Sequence, residues 1–221
     1  MMKTSKKIKN AFKVFKLWKH WKMGIAASVI LGLPGCLQSG NDSPASQSNQ
    51  GLTSLDLMKT IEKAPKKIKV SSVAFAEGGK LALQQAHGDC GGQNISPPLS
   101  WSGVPAKARS VAIVVSDPDA PGGAWTHWII YNLPASRKDI GMGIAPGEVV
   151  PSGARQAKND WGVAGYGGPC PPSGKHRYRF YVLALEMHLS LTENAGQAEF
   201  AEAITNRIVA HGVLAGSYSR N

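Results

Sequence analysis

Two aspartates, two tryptophans and a histidine crowd the stretch SDPDAPGGAWTHW, residues 116–128. A carboxylate can orient or charge an imidazole, and an indole adds a flat apolar wall with one N–H donor. Asp117, Asp119, Trp125 and His127 are the residues here with that capacity. Further along, GYGGPCPPSGKHRYRF (165–180) carries His176 and Tyr178 behind a loop of alternating glycine and proline. Glycines such as Gly168 let the backbone approach a ligand closely and leave N–H groups to point at an anion, while Pro169, Pro171 and Pro172 stiffen the loop. Two imidazoles, a phenol and loop amides together suit an oxyanion. Asp117 would repel a dianion unless it orients or charges a histidine, so a carboxylate–imidazole pair is expected. Anion affinity should then rise as pH falls through the histidine range.

Each cluster also has a plainer reading. Asp-Pro-Asp-Ala-Pro before two glycines is a turn whose aspartates bond their own backbone, and a single histidine is more often structural than a ligand contact. The loop echoes a phosphate-binding P-loop, but Gly168 and Gly174 stand six apart rather than five, and His176 occupies the place of the Ser/Thr that would hold magnesium. Two histidines and an aspartate could hold a metal for hydrolysis, although no HExxH pair occurs. No G-x-S-x-G nucleophile elbow is present either. The reading adopted is binding without turnover, with no metal and no cofactor. A protein-interaction or inhibitor module using the pocket surface is one alternative, and a metal-assisted hydrolase is the other.

Strand-like runs must position these side chains. SVAIVVS from Ser110, HWIIYNL from His127 and RYRFYVLALEM from Arg177 are rich in β-branched and aromatic residues and bounded by Pro or Gly. Residues two apart in an extended chain share a face, which groups Trp125 with His127 and His176 with Tyr178. Ala120-Pro121 is a candidate cis peptide. Phe200, Ile204 and Ile208 recur at helical spacing, with His211-Gly212 as the expected stop.

The chain has 221 residues and a formal charge of +11, but the charge is uneven. Residues 1–35 hold eight lysines and no acid, leaving 17 basic against 14 acidic residues in the remainder, which argues against nucleic acid as a partner. The basic stretch, the short apolar run from Met23 to Leu33 and the small residues before Cys36 form a secretory signal too short to span a bilayer. LPGC, 33–36, resembles a bacterial lipoprotein box, with Pro34 in an unusual place. Lipidation of Cys36 is expected; cleavage without a lipid and an uncleaved membrane-surface segment are the alternatives. The polar stretch after Cys36 reads as a flexible tether over 36–67, in which LTSLDLMKTIEKAPKK has some helical periodicity. The domain then occupies 68–221.

NISPPLSW (94–101), DPDAP (117–121), WTHW (125–128) and GYGGPCPPSGKHRY (165–178) together closely resemble the bacterial, Raf-kinase-inhibitor-like branch of the phosphatidylethanolamine-binding protein family. The resemblance implies a mainly β fold of antiparallel sheets with peripheral helices, one near the C-terminus, and a small pocket for phosphate-like or carboxylate anions, phospholipid headgroups among them. By position, that pocket would use Asp117, His127, the Gly168-Pro169 backbone, His176 and Tyr178, with Asp119 and Trp125 supporting the rim. In an exported domain the two remaining cysteines, Cys90 and Cys170, suggest a disulfide, with two free or buried thiols as the alternative. The expected setting is the cell envelope, facing the periplasm and tied to a membrane by the lipid. The partner is a small anionic ligand, with a homodimer or protein partner left open.

Overall fold

The structure is a computed structural model that describes residues 53–220, apart from 148, 151 and 193. The expected secretory signal, Cys36 and most of the expected tether lie outside these residues.

The central strand β3 (Ser110–Asp117) is buried along its whole length. Such a continuous apolar run needs cover on both faces, and it has it. β3 lies between β4 (Trp125–Pro134) and β7 (Lys175–Leu185), and β6 (Arg155–Ala157) and β8 (Ile208–Ser219) complete a five-stranded sheet in the order β6-β4-β3-β7-β8. A smaller sheet joins β1 (Lys69–Ser71), β2 (Leu99–Ser102) and β5 (Asp139–Ile140), and the pairings within both sheets are antiparallel. Side chains of a strand alternate between faces. Ile113, Val115, Ile130 and Phe180 therefore pack with Leu99, Trp101 and Ile140 of the small sheet. Val114, Ile129, Tyr181 and Leu183 pack instead with two helices, α1 (Ser54–Glu62) and α2 (Gln197–Ile204). The fold is mainly β, as expected, in three layers.

Three expectations need correction. The packed body reaches back beyond Ile68, because α1 is capped and docked. The Thr53 hydroxyl accepts from the Asp56 amide at 3.3 Å and the Asp56 carboxylate accepts from the Thr53 amide at 3.2 Å, while Leu57, Met58 and Ile61 are buried. Residues 54–62 thus leave the tether. The C-terminal helix stops at Ile204, and Ile208 opens β8, a strand that pairs along the whole of β7. Two glycines disguised β8 in the sequence. A Cβ on Gly212 would lie 2.2 Å from the Ile68 carbonyl oxygen, and one on Gly216 2.9 Å from the Leu81 side chain, so glycine is required where other chain segments cross the sheet. Among the described residues every peptide bond is trans, Ala120-Pro121 included.

Candidate functional site

Asp117, the last residue of β3, lies opposite Trp125, the first of β4. The register between them slips by one: Val115 faces Trp128, but Ser116 faces Thr126, so β4 carries an extra residue, His127. A bulge of this kind re-aims a side chain. It turns Trp125 and His127 to one side of the sheet, where Trp128 also packs, and sends the Thr126 hydroxyl to the helical side, 3.1 Å from Ser54 Oγ of α1. From β7, His176 and Tyr178 reach the same side, and with Asp117, Trp125 and His127 they line a cavity of about 320 Å³. Pro121, Trp161, Cys170, Pro171 and Pro172 supply most of the remaining wall.

The polar groups have defined partners. Asp117 and His176 are both buried, and the imidazole Nδ1 lies 2.7 Å from Asp117 Oδ2. A carboxylate accepts, so Nδ1 carries the proton. The second oxygen of Asp117 accepts the Asp119 amide at 2.9 Å, closing the turn. His127 Nδ1 stands 2.7 Å from the carbonyl oxygen of Gly167. A carbonyl can only accept, so this nitrogen also holds a proton and Nε2 of the neutral ring is bare. Burial above all pushes the His127 pKa down to about 4, against the opposing pull of the Gly167 carbonyl and the Asp117 charge.

Two donors in the cavity wall have no partner. The Tyr178 hydroxyl and the Trp125 indole N–H are both buried without a hydrogen bond. Asp117 approaches the phenol outside hydrogen-bonding geometry; burial first, and then that carboxylate, raise the Tyr178 pKa and hold its proton on. Orphaned buried polar atoms are rare and call for a ligand or ordered water. A larger cleft of about 540 Å³, lined by Lys80, Leu83, Cys90 and Arg220 among others, has no such group, which makes the smaller cavity the candidate site.

A sequence profile of the phosphatidylethanolamine-binding protein family matches residues 71–219. The chain belongs to that family. Members of the family similar to it include a UPF0098 protein of Methanothermobacter thermautotrophicus, 42% identical over 147 residues, covering 66% of this chain and 95% of the relative. LppC of Mycobacterium tuberculosis, named as a candidate lipoprotein, is 34% identical over 203 residues, 88% of this chain and 92% of its own. Among solved structures, YbcL of E. coli superposes with a TM-score of 0.65 at 34% identity, covering 70% of this chain and 99% of YbcL. The phosphatidylethanolamine-binding protein homolog CT736 of Chlamydia trachomatis gives 0.63 at 37% identity, with 71% and 99% coverage.

Within this phosphatidylethanolamine-binding protein domain, the fold gathers Asp117, Trp125, His127, His176 and Tyr178 around one cavity. Asp119 stands outside it. Its carboxylate is gripped by the Arg177 side chain and amide, with Arg177 Nε at 2.9 Å, and these contacts, the side-chain bond first, hold its pKa down at about 2. Gly168 and Pro169 do not line the cavity, and the amide cradle expected of them does not form. The Gly167 amide donates to the His127 carbonyl at 2.9 Å, the Gly168 amide donates to Asn94 Oδ1 at 2.8 Å, and Pro169 has no N–H. Glycine at 168 answers a packing demand: a Cβ there would lie 2.2 Å from the Gln85 carbonyl oxygen. Cys90 and Cys170 are joined in a disulfide, with Cα atoms 5.6 Å apart.

Sequence reasoning missed Trp161, whose ring stacks on His87 and meets Trp125 and His127 edge-on, with centroids 5.3 and 4.9 Å away. Asn159 builds the loop that carries it, accepting the Trp161 and Val163 amides at 3.0 and 3.1 Å and donating to the Gly165 carbonyl at 3.0 Å. The Asn-Asp-Trp-Gly string beside the glycine-rich segment was the available signal. Among the described residues no group of three His, Cys, Asp or Glu is arranged to hold a metal ion.

Proposed function

We propose that this domain binds the oxyanion group of a small ligand, phosphate or carboxylate, and does not turn it over. The observation that carries this reading is the pair of unpartnered donors, Tyr178 Oη–H and Trp125 Nε1–H, in the wall of a cavity closed on its other sides by aromatic rings and prolines. The His176–Asp117 pair stands beside them with Nδ1 locked, which leaves His176 Nε2 as the atom that can meet a ligand. The Arg177–Asp119 pair clamps the turn from outside.

Isothermal titration with methyl phosphate and with acetate tests binding. Tyr178→Phe, which removes one donor and little volume, should weaken the complex about tenfold, the worth of a hydrogen bond to a charged group. Absence of binding by either anion would sink the proposal, and release of inorganic phosphate from the ester would refute its non-catalytic part.

The setting we propose is the cell envelope, with the domain anchored through a lipid on Cys36. A disulfide of this kind belongs to oxidising compartments, the basic and apolar N-terminal runs have the composition of an export signal, and the relative LppC is itself named a candidate lipoprotein. Incorporation of labelled fatty acid in cells, lost in Cys36→Ala, is the expected outcome.

A further inference from the structure

We infer that the cleft at the end of β8 is a second binding site, separate from the cavity described above, for a small organic dianion of the dicarboxylate class.

β8 ends at Ser219, and the segment that follows Gly79 runs beside that end. Lys80 bridges to Ser217 in parallel, and the Leu81 amide donates to the Ser217 carbonyl at 2.8 Å. The cleft of about 540 Å³ that opens there is lined by Lys80, Leu83, Cys90, Tyr218, Ser219 and Arg220 among others, a volume suited to a small molecule. Tyr218 distinguishes this space from a surface groove. Only 8% of the residue is exposed and its ring packs in the core shared with the small sheet. Its hydroxyl nevertheless makes no hydrogen bond among the described residues, and it opens onto the cleft. A phenol held by a buried ring, with no protein partner, is set to donate to whatever fills the space.

Charge decides what that is. Lys80 and Arg220 make no ion pair among the described residues, and no carboxylate lines the cleft. The acids nearest in sequence are engaged elsewhere: Glu77 accepts the Ala215 amide at 3.0 Å, and Asp89 lies 3.4 Å from His87 Nδ1. Arg220 follows the Ser217 bridge by one turn of the strand's pleat and a half. With a rise of about 3.3 Å per residue and about 4.8 Å between strands, its Cα stands about 11 Å from that of Lys80. Two long side chains at that spacing reach opposite ends of one small molecule. A single negative charge would leave one cation unanswered, and a compact inorganic dianion would leave most of the volume unfilled. The Arg220 fork matches a carboxylate, and the Lys80 ammonium serves the second as a point charge. The cleft and the cavity share only the disulfide, with Cys90 facing one and Cys170 the other, so this inference does not depend on the anion-binding reading of the cavity.

Calorimetry on the full chain at pH 7 compares succinate with butyrate, which has the same carbon chain and one carboxylate fewer. Succinate should bind about fivefold tighter, the upper range for an ion pair at an accessible position. That preference should vanish in Lys80→Ala and in Arg220→Ala, both exposed positions whose truncation leaves the core untouched. Tyr218→Phe should weaken succinate about tenfold, as expected for a hydrogen bond to a charged group. Tyr178→Phe and saturating methyl phosphate should leave succinate binding unchanged, since both act at the other cavity. Absence of succinate binding, or equal affinity for butyrate or for sulfate, overturns the inference. So does competition by methyl phosphate or a loss in Tyr178→Phe, either of which would put succinate in the cavity instead. A protein that binds succinate but not methyl phosphate would refute the anion-binding reading and leave this site standing.

Discussion

The Nδ1 atom of His176 and the Oδ2 atom of Asp117 lie 2.7 Å apart in a buried environment, joining the end of β3 to the beginning of β7. Removing the carboxylate strips the imidazole of its partner and leaves the Asp119 amide without its acceptor. Asp117→Ala should therefore destabilise the domain by about 2 kcal/mol, within the range for unsatisfied buried groups. Urea unfolding with an unchanged slope measures it. Asp117→Asn keeps the volume but only one acceptor oxygen, so it can satisfy one of the two donors and should recover part of the loss.

His127 makes stability depend on pH with a defined sign. Its folded pKa, about 4, is below the ordinary value of 6.5. Between those values the unfolded chain takes up a proton that the folded ring refuses. Stability from this residue is thus complete above about pH 6.5 and declines as pH falls toward 4, by a total on the order of 3 kcal/mol. His127→Gln should flatten that part of the stability profile, read by thermal melts from pH 4 to 7. An unaltered profile would show that the folded ring titrates as it does in the unfolded chain.

The disulfide stands between two depressions of the surface, since Cys170 lines the site cavity and Cys90 the larger cleft. Its sequence separation is 80 residues, for which chain entropy alone suggests a contribution of up to about 4–5 kcal/mol. Reduction should lower the melting temperature and weaken methyl phosphate binding together, because Pro171 and Pro172 line the cavity directly after Cys170. Intact mass with and without reductant should differ by two hydrogen atoms.

Ser54 links the first helix to the site from the opposite face of the sheet. Its hydroxyl donates to Asp160 Oδ2 at 2.7 Å, and the same carboxylate oxygen accepts the Thr126 amide at 2.6 Å. Asp160 and Thr126 are the neighbours of Trp161 and His127. Ser54→Ala should cost about 1 kcal/mol and shift the tryptophan emission of the folded protein. A change in stability without a spectral shift would confine Ser54 to docking the helix.

Local chemistry made much of this protein legible in its sequence. The apolar runs at 110–116 and 127–133 lie within β3 and β4, and alternation along the chain was enough to group Trp125 with His127 and His176 with Tyr178. The two cysteines were paired by their number and by the expectation of export. Long-range relationships were not legible, for physical reasons. In the first helix Leu55 is exposed while Leu57 and Ile61 are buried, because only the position of the sheet decides which helical stripe is covered. β8 reads as a glycine- and alanine-rich tail until one sees which segments press on Gly212 and Gly216. The glycines at 167 and 168 invited an amide cradle, but tertiary neighbours, the His127 carbonyl and Asn94, take up those amides. The histidines differ most of all. Side-chain identity makes an imidazole capable of donating or accepting, and only the atom found opposite Nδ1, a carboxylate for His176 and a carbonyl for His127, decides where the proton sits.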